Sequence, residues 1–161
     1  MAKFEYVSVW RLSAGLDAVW RAIYEAEAWP QWWPGLKSVE DLGGGGPDGV
    51  GGLRRFTWQG VLPYRLRCDI TITRVETGRL IEGAASGDVT GLGAWRFMDH
   101  GGLTEVRCEW RVSPRRWWMS LMLALARPLV NWNHETLMGW GGAGLAKRLG
   151  ARLVAARSLR V

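Results

Sequence analysis

His134 is the side chain best suited to chemistry. It lies beside Asn133 on an apolar helical stripe, and imidazole is the group whose ordinary pKa suits a general base near neutral pH. Set against a bound carbonyl compound, it would remove a proton alpha to the carbonyl. Tyr64 has a hydroxyl to polarise that carbonyl, and Arg54, which shares an inward strand face with Phe56 and Trp58, has a guanidinium to hold an enolate or carboxylate. The competing reading of Asn133-His134 is structural: the pair ties its helix to a neighbouring backbone carbonyl, the usual state of a histidine without an evident partner. For Arg54, a slip of one residue in register would turn the side chain to solvent. Other chemistries are excluded. His100 sits in Asp99-His-Gly-Gly102, a hairpin turn, and two histidines, two cysteines and scattered acids show no ligand spacing, so neither a metal nor another cofactor is expected. Gly139-Trp-Gly-Gly-Ala-Gly144 has the letters of a dinucleotide loop but no preceding strand, so its glycines are expected to thin a helix where it faces a pocket. There is no Gly-x-Ser-x-Gly elbow, and Gly43–Gly52 lacks the Lys-Ser/Thr of a phosphate loop and reads as a flexible connection.

The elements that must position these groups follow from periodicity. Residues 3–12 read as a strand, Leu16, Val19, Trp20, Ile23 and Tyr24 as a helix, and Trp29-Pro-Gln-Trp-Trp-Pro34 as a Pro-bounded turn or one-turn helix. After a short strand near Lys37–Leu42 come runs at about 53–59, 63–76, 79–86, 92–98 and 103–112, spaced as a meander. Val106, Cys108, Trp110 and Val112 alternate with charged residues, as do Tyr64, Leu66, Cys68, Ile70 and Ile72, so both cysteines point inward as small core residues. From Arg115 the period turns helical, and His134, Met138, Leu145, Leu149 and Leu153 form one continuous stripe. The result is an α+β arrangement. A curved antiparallel sheet of six to seven strands wraps a long C-terminal helix, and a twisted sheet cannot touch a straight helix along its whole length, so an internal cavity is left between them. Its expected lining is Arg54, Phe56, Trp58, Tyr64, Trp95, Trp110, Asn133, His134 and Met138, with Trp32 or Trp33 at the mouth.

Composition bounds the rest. A length of 161 residues fits one domain, 1–161, and 48% hydrophobic with 22% charged residues excludes a disordered chain. Twelve tryptophans mean either a very aromatic core or a wall around a ligand. The net charge of +6 is localised: the first 114 residues carry 13 cations against 14 acids, the last 47 carry eight against Glu135 alone. No polybasic arm is present, so a basic surface on one C-terminal element is favoured over a nucleic-acid groove, and no nucleic acid is expected. Arg115 to Ala126 combines cations, aromatics and a short apolar run, which suits peripheral contact with an anionic membrane as well as a buried start to the last helix. Two distant cysteines and the lack of an apolar leader suit a soluble, cytoplasmic protein, a monomer or a homodimer.

The chain also resembles the START-like, polyketide cyclase/dehydrase and lipid-transport (SRPBCC) superfamily, whose fold is the helix grip. The likeness is carried by Ser13-Ala-Gly-Leu-Asp-Ala-Val-Trp20, where the family more often has Pro at the position of Gly15, and by Trp29–Pro34. It continues through Gly91-Leu-Gly-Ala-Trp95, Thr104-Glu-Val106, Trp110-Arg-Val112 and Arg127-Pro-Leu-Val-Asn-Trp-Asn-His134. These motifs are structural more than catalytic. The resemblance implies a domain that holds a small hydrophobic or aromatic molecule, as a carrier or sensor of lipid-like or polyketide-like ligands. It leaves two alternatives: a cyclase/dehydratase acting by aldol-type acid/base chemistry with His134 as base, and a module that binds a protein partner through the basic C-terminal surface.

Overall fold

The computed structural model describes residues 3–160. Its elements run β1 (Phe4–Leu12), α1 (Leu16–Tyr24), a short 3-10 helix (Ala26–Gln31), β2 (Leu36–Asp41), β3 (Leu53–Trp58), β4 (Leu66–Glu76), β5 (Leu80–Gly87), β6 (Val89–Asp99), β7 (Thr104–Pro114), α2 (Trp117–Leu125), α3 (Arg127–Leu149) and β8 (Leu153–Arg160). The strands form one eight-stranded antiparallel sheet in the order β2-β3-β4-β5-β6-β7-β1-β8. This is the expected α+β helix-grip architecture, one strand larger.

The extra strand corrects the reading of the chain's end. The helical stripe does not continue through Leu153, because Gly150 adopts the left-handed conformation (φ 61°) and its N–H caps the carbonyls of Ala146 and Lys147. Beyond the cap the chain reverses. Ser13 and Arg152 exchange hydrogen bonds, the Arg152 N–H to Ser13 Oγ at 2.8 Å and the Ser13 N–H to the Arg152 carbonyl at 3.0 Å, and this latch starts β8 along the free edge of β1. Arg152, Arg157 and Arg160 therefore belong to a strand and the turn before it, while only Lys147 and Arg148 stand in the last helical turn, where cations favour the helix C-terminus. The helix is also interrupted. Pro128 opens α3 anew after α2, since proline has no N–H to continue the ladder.

The inner face of the sheet is the one the alternation marks. In β1, Phe4, Tyr6, Ser8, Trp10 and Leu12 are all buried, and the β3–β4 register pairs Arg55 with Asp69, whose carboxylate takes two hydrogen bonds from the guanidinium at 2.9 and 3.0 Å on the outer face. That pairing leaves Arg54, Phe56 and Trp58 on the inner face. The Gly43–Gly52 connection is tied down rather than free: Leu42 and Leu53 bond across it, and the Gly51 N–H reaches the carbonyl of Ile72.

Helix α3 is held against this face by tryptophan. The indole N–H groups of Trp10 and Trp33 donate to the carbonyls of Met138 (3.1 Å) and Leu137 (2.8 Å). A helical carbonyl points towards the residue four positions on, so the glycines at 141 and 142 leave those two oxygens uncovered. A Cβ at Gly141 would strike the Trp33 ring, and one at Gly144 the carbonyl of Trp32. The glycines of this segment thus thin the helix against the tryptophan cluster and not, as the sequence alone implies, against the pocket. Gly139 meets nothing within 4 Å. Gly144→Ala and Gly141→Ala are expected to lower unfolding free energy by about 2 kcal/mol or more through overpacking, whereas Gly139→Ala is neutral or stabilising by up to about 1 kcal/mol. Urea denaturation of the three variants checks this.

Candidate functional site: an aromatic cavity between helix and sheet

Because the C-terminal half of α3 is pressed onto the sheet, its N-terminal half stands away from it, and a cavity of about 480 Å³ opens between them. This lies within the roughly 300–1,000 Å³ of small-molecule pockets. One end is bordered by the loop after β3, by Asp88 and by α2; the other reaches Tyr24, Gly49 and Arg54. The mouth lies at the first end, where Tyr64, Trp118 and Met122 line the cavity and are also 38%, 43% and 60% exposed.

Every residue expected from the sequence lines this space: Arg54, Phe56, Trp58, Tyr64, Trp95, Trp110, Asn133, His134 and Met138. Their environments differ from expectation. Arg54 faces inward, but its Nε donates to Glu27 Oε1 at 2.6 Å, so its charge is already paired at the far end. Tyr64 is not on a strand. It belongs to the loop before β4, which begins at Leu66, and stands at the mouth. Asn133 anchors that loop: its Oδ1 accepts the Leu62 N–H at 3.2 Å and its Nδ2 donates to the Tyr64 hydroxyl at 3.5 Å. Burial pushes the Tyr64 phenol up, partly offset by Asn133. Trp32 and Trp33 are both buried, so neither is at the mouth; Trp33 is an inner wall, packed at 5.0 Å against Trp58 and 6.2 Å from Trp95.

His134 stacks on Tyr6, with ring centroids 3.9 Å apart and planes 17° from parallel. Tyr6 in turn donates to Asn131 Oδ1 at 2.7 Å. Among the described residues, His134 Nε2 has no hydrogen-bond partner. Desolvation pushes the imidazole down to about 4 and is the sole cause of that shift, so the ring is neutral at pH 7, and among the described residues no carboxylate offsets the loss. The cysteines are equally quiet. Cys68 and Cys108 both line the cavity and burial pushes both thiols up to about 12, which removes thiolate chemistry. No group of three or more His, Cys, Asp or Glu able to hold a metal occurs among the described residues.

The sequence reading missed Tyr6, Trp29 and the α2 side chains Trp118, Met119, Met122 and Leu123, all of which line the space. Tyr6 was within reach, since it alternates with Phe4 and Trp10; the α2 residues carry no periodic signal because that helix is apolar on all sides. The buried imidazole has a pH signature. An unfolded chain protonates His134 near pH 6.5 and the folded one only near 4, so the unfolded state binds more protons between these values. Stability contributed by the neutral form is complete above about 6.5 and falls by up to about 3 kcal/mol as the pH drops through this window. Urea denaturation at pH 7.5 and 4.5 should show this loss in the wild type and a smaller one in His134→Gln.

Comparison with known proteins agrees with this geometry. The family model described as polyketide cyclase / dehydrase and lipid transport matches residues 1–156. No curated protein sequence matches. Among solved structures, the Zhui aromatase/cyclase from Streptomyces sp. R1128 superposes with a TM-score of 0.74 at 13% identity, over 92% of this chain and 94% of that one. The di-domain aromatase/cyclase BexL gives 0.72 at 17% identity, over 93% of this chain and 51% of its own. A START superfamily protein from Mycobacterium smegmatis gives 0.66 at 14% identity, covering 91% and 97%. At such identities these likenesses show the fold alone. The family's own match spans β1 to β7, the cavity, the whole of α3 and the first half of β8, and the chain belongs to the polyketide cyclase / dehydrase and lipid transport family.

Proposed function

We propose that this protein is a single ligand-binding domain that carries or senses a flat hydrophobic molecule, aromatic or polyketide-like, in the cavity between α3 and the sheet. The observation that carries the reading is the character of the wall. Trp29, Trp33, Phe56, Trp58, Trp95 and Trp110 face the space, while Arg54, a charged residue of its wall, is paired with Glu27. Rings of this kind bind flat ligands by burial and stacking, at roughly 25 cal/mol per Å² of apolar area removed from water, less the cost of association. His134 supports orientation. A neutral imidazole Nε2 without a protein partner can pair with a ligand hydroxyl, as donor or acceptor according to its tautomer, and place that group beside Tyr6.

Aldol-type cyclisation is the second reading, favoured by that same unpartnered nitrogen and by the cyclase / dehydrase description of the family. Carriage is preferred because His134 has no carboxylate to raise its basicity and a conjugate acid near pH 4 makes it a weak base. Native mass spectrometry of protein purified from its own host should find a retained small molecule. Trp110→Ala should weaken binding of a planar aromatic probe about tenfold, consistent with roughly 1.4 kcal/mol of lost stacking and burial, read by quenching of tryptophan fluorescence. An empty protein whose fluorescence no planar probe quenches would remove the carrier reading. Cyclisation of a poly-β-ketone substrate that is abolished in His134→Phe, with probe binding intact, would establish the enzymatic one instead.

A further inference from the structure

The helix over the mouth presents an unusual outer surface. Residues 117–125 contain no charged side chain, and the side of α2 away from the cavity exposes Trp117 (78%), Leu121 (58%) and Leu125 (80%). The first turns of α3 extend this surface with Leu129 (54%) and Trp132 (48%). Contiguous apolar exposure on this scale marks an interaction site. Its borders are cationic. Arg115 and Arg116 stand exposed before α2, and Arg127 follows it, held by a hydrogen bond to the Lys3 carbonyl and by its position 4.9 Å over the Phe4 ring.

We propose that this face docks on the surface of an anionic lipid bilayer. Charge decides between a bilayer and a second copy of the chain. A two-fold pairing of the face with itself would bring like-charged Arg115, Arg116 and Arg127 of two copies together, whereas anionic headgroups neutralise all three while the acyl region receives the leucines. Tryptophan at the rim suits the headgroup level, where an apolar ring and an N–H donor are both accommodated. The segment lies on the membrane and does not cross it: nine helical residues extend only about 14 Å, and no described helix is long and apolar enough to span. Docking also has a consequence for the cavity. Trp118 and Met122 belong both to the cavity wall and to the exposed face, so a bilayer against α2 sits directly at the mouth. A hydrophobic ligand can then exchange with the membrane without crossing water.

Vesicle sedimentation tests the proposal, and it does not depend on what the cavity holds. The full chain should sediment with vesicles of phosphatidylcholine containing about 30% phosphatidylglycerol and far less with phosphatidylcholine alone. The double substitution Trp117→Ser with Leu125→Ser, at positions outside the cavity wall, should weaken binding at least tenfold while circular dichroism and the urea unfolding midpoint stay as in the wild type. Arg115→Glu with Arg116→Glu should remove the dependence on phosphatidylglycerol. Absence of binding to the anionic vesicles, or binding that neither double variant alters, would overturn the proposal. So would a concentration-dependent dimer in analytical ultracentrifugation that the Trp117/Leu125 variant abolishes, which would assign the face to a second copy.

Discussion

The architecture depends on one contact: two indole N–H groups bonded to the backbone of α3. Trp10 and Trp33 reach the carbonyls of Met138 and Leu137 only because residues 141 and 142 have no side chain to cover them. An indole donor buried without a partner is costly, so these bonds make the close approach of helix to sheet specific in register as well as favourable by burial. Around them Trp29, Trp32, Trp58 and Trp95 interlock at centroid separations of 5.0 to 6.2 Å. Pinned there, a straight helix must leave the curved sheet towards its N-terminus. The cavity is the geometric remainder of that anchorage.

The tryptophans consequently divide into three roles, which a count of twelve does not reveal. Trp10 and Trp33 anchor the helix through their indole N–H groups; Trp29, Trp58, Trp95 and Trp110, with the inner side of Trp33, line the cavity; Trp117, Trp132 and Trp140 are exposed. The same aromatic surface stabilises the fold and defines what the cavity accepts. Polar groups are placed sparingly along it. Asn133 is spent on holding the loop at the mouth and Arg54 on Glu27, while among the described residues His134 Nε2 has no hydrogen-bond partner. Neighbours in sequence, Asn133 and His134 thus differ in state, one engaged with the loop and the other stacked on Tyr6 with Nε2 unpartnered.

Much of this was legible in the residues themselves. Alternation in β4 and β7 identified the inner face, and with it Trp110 and both cysteines, as the shared face of Arg54, Phe56 and Trp58 did in β3, because period-two burial is a local property of a strand. Where local pattern competes with long-range pairing, it misled. Leu153 extends the helical stripe by spacing, yet Gly150 ends the helix and the free edge of β1 recruits the following residues as a strand. Tyr64 alternates correctly with Leu66 but stands in a loop whose position is set by Asn133, 69 residues away.

The sequence by itself determined the class of fold, the inner face and the apolar character of the site, since these follow from periodicity and side-chain type. Tertiary structure decided which polar groups remain available. Arg54 and Asn133 are consumed by partners distant in the chain, and His134, stacked on Tyr6, is stripped of solvent by burial, so its basicity falls. Hydrogen bonding and desolvation depend on what surrounds a group in space, and no spacing along the chain encodes that.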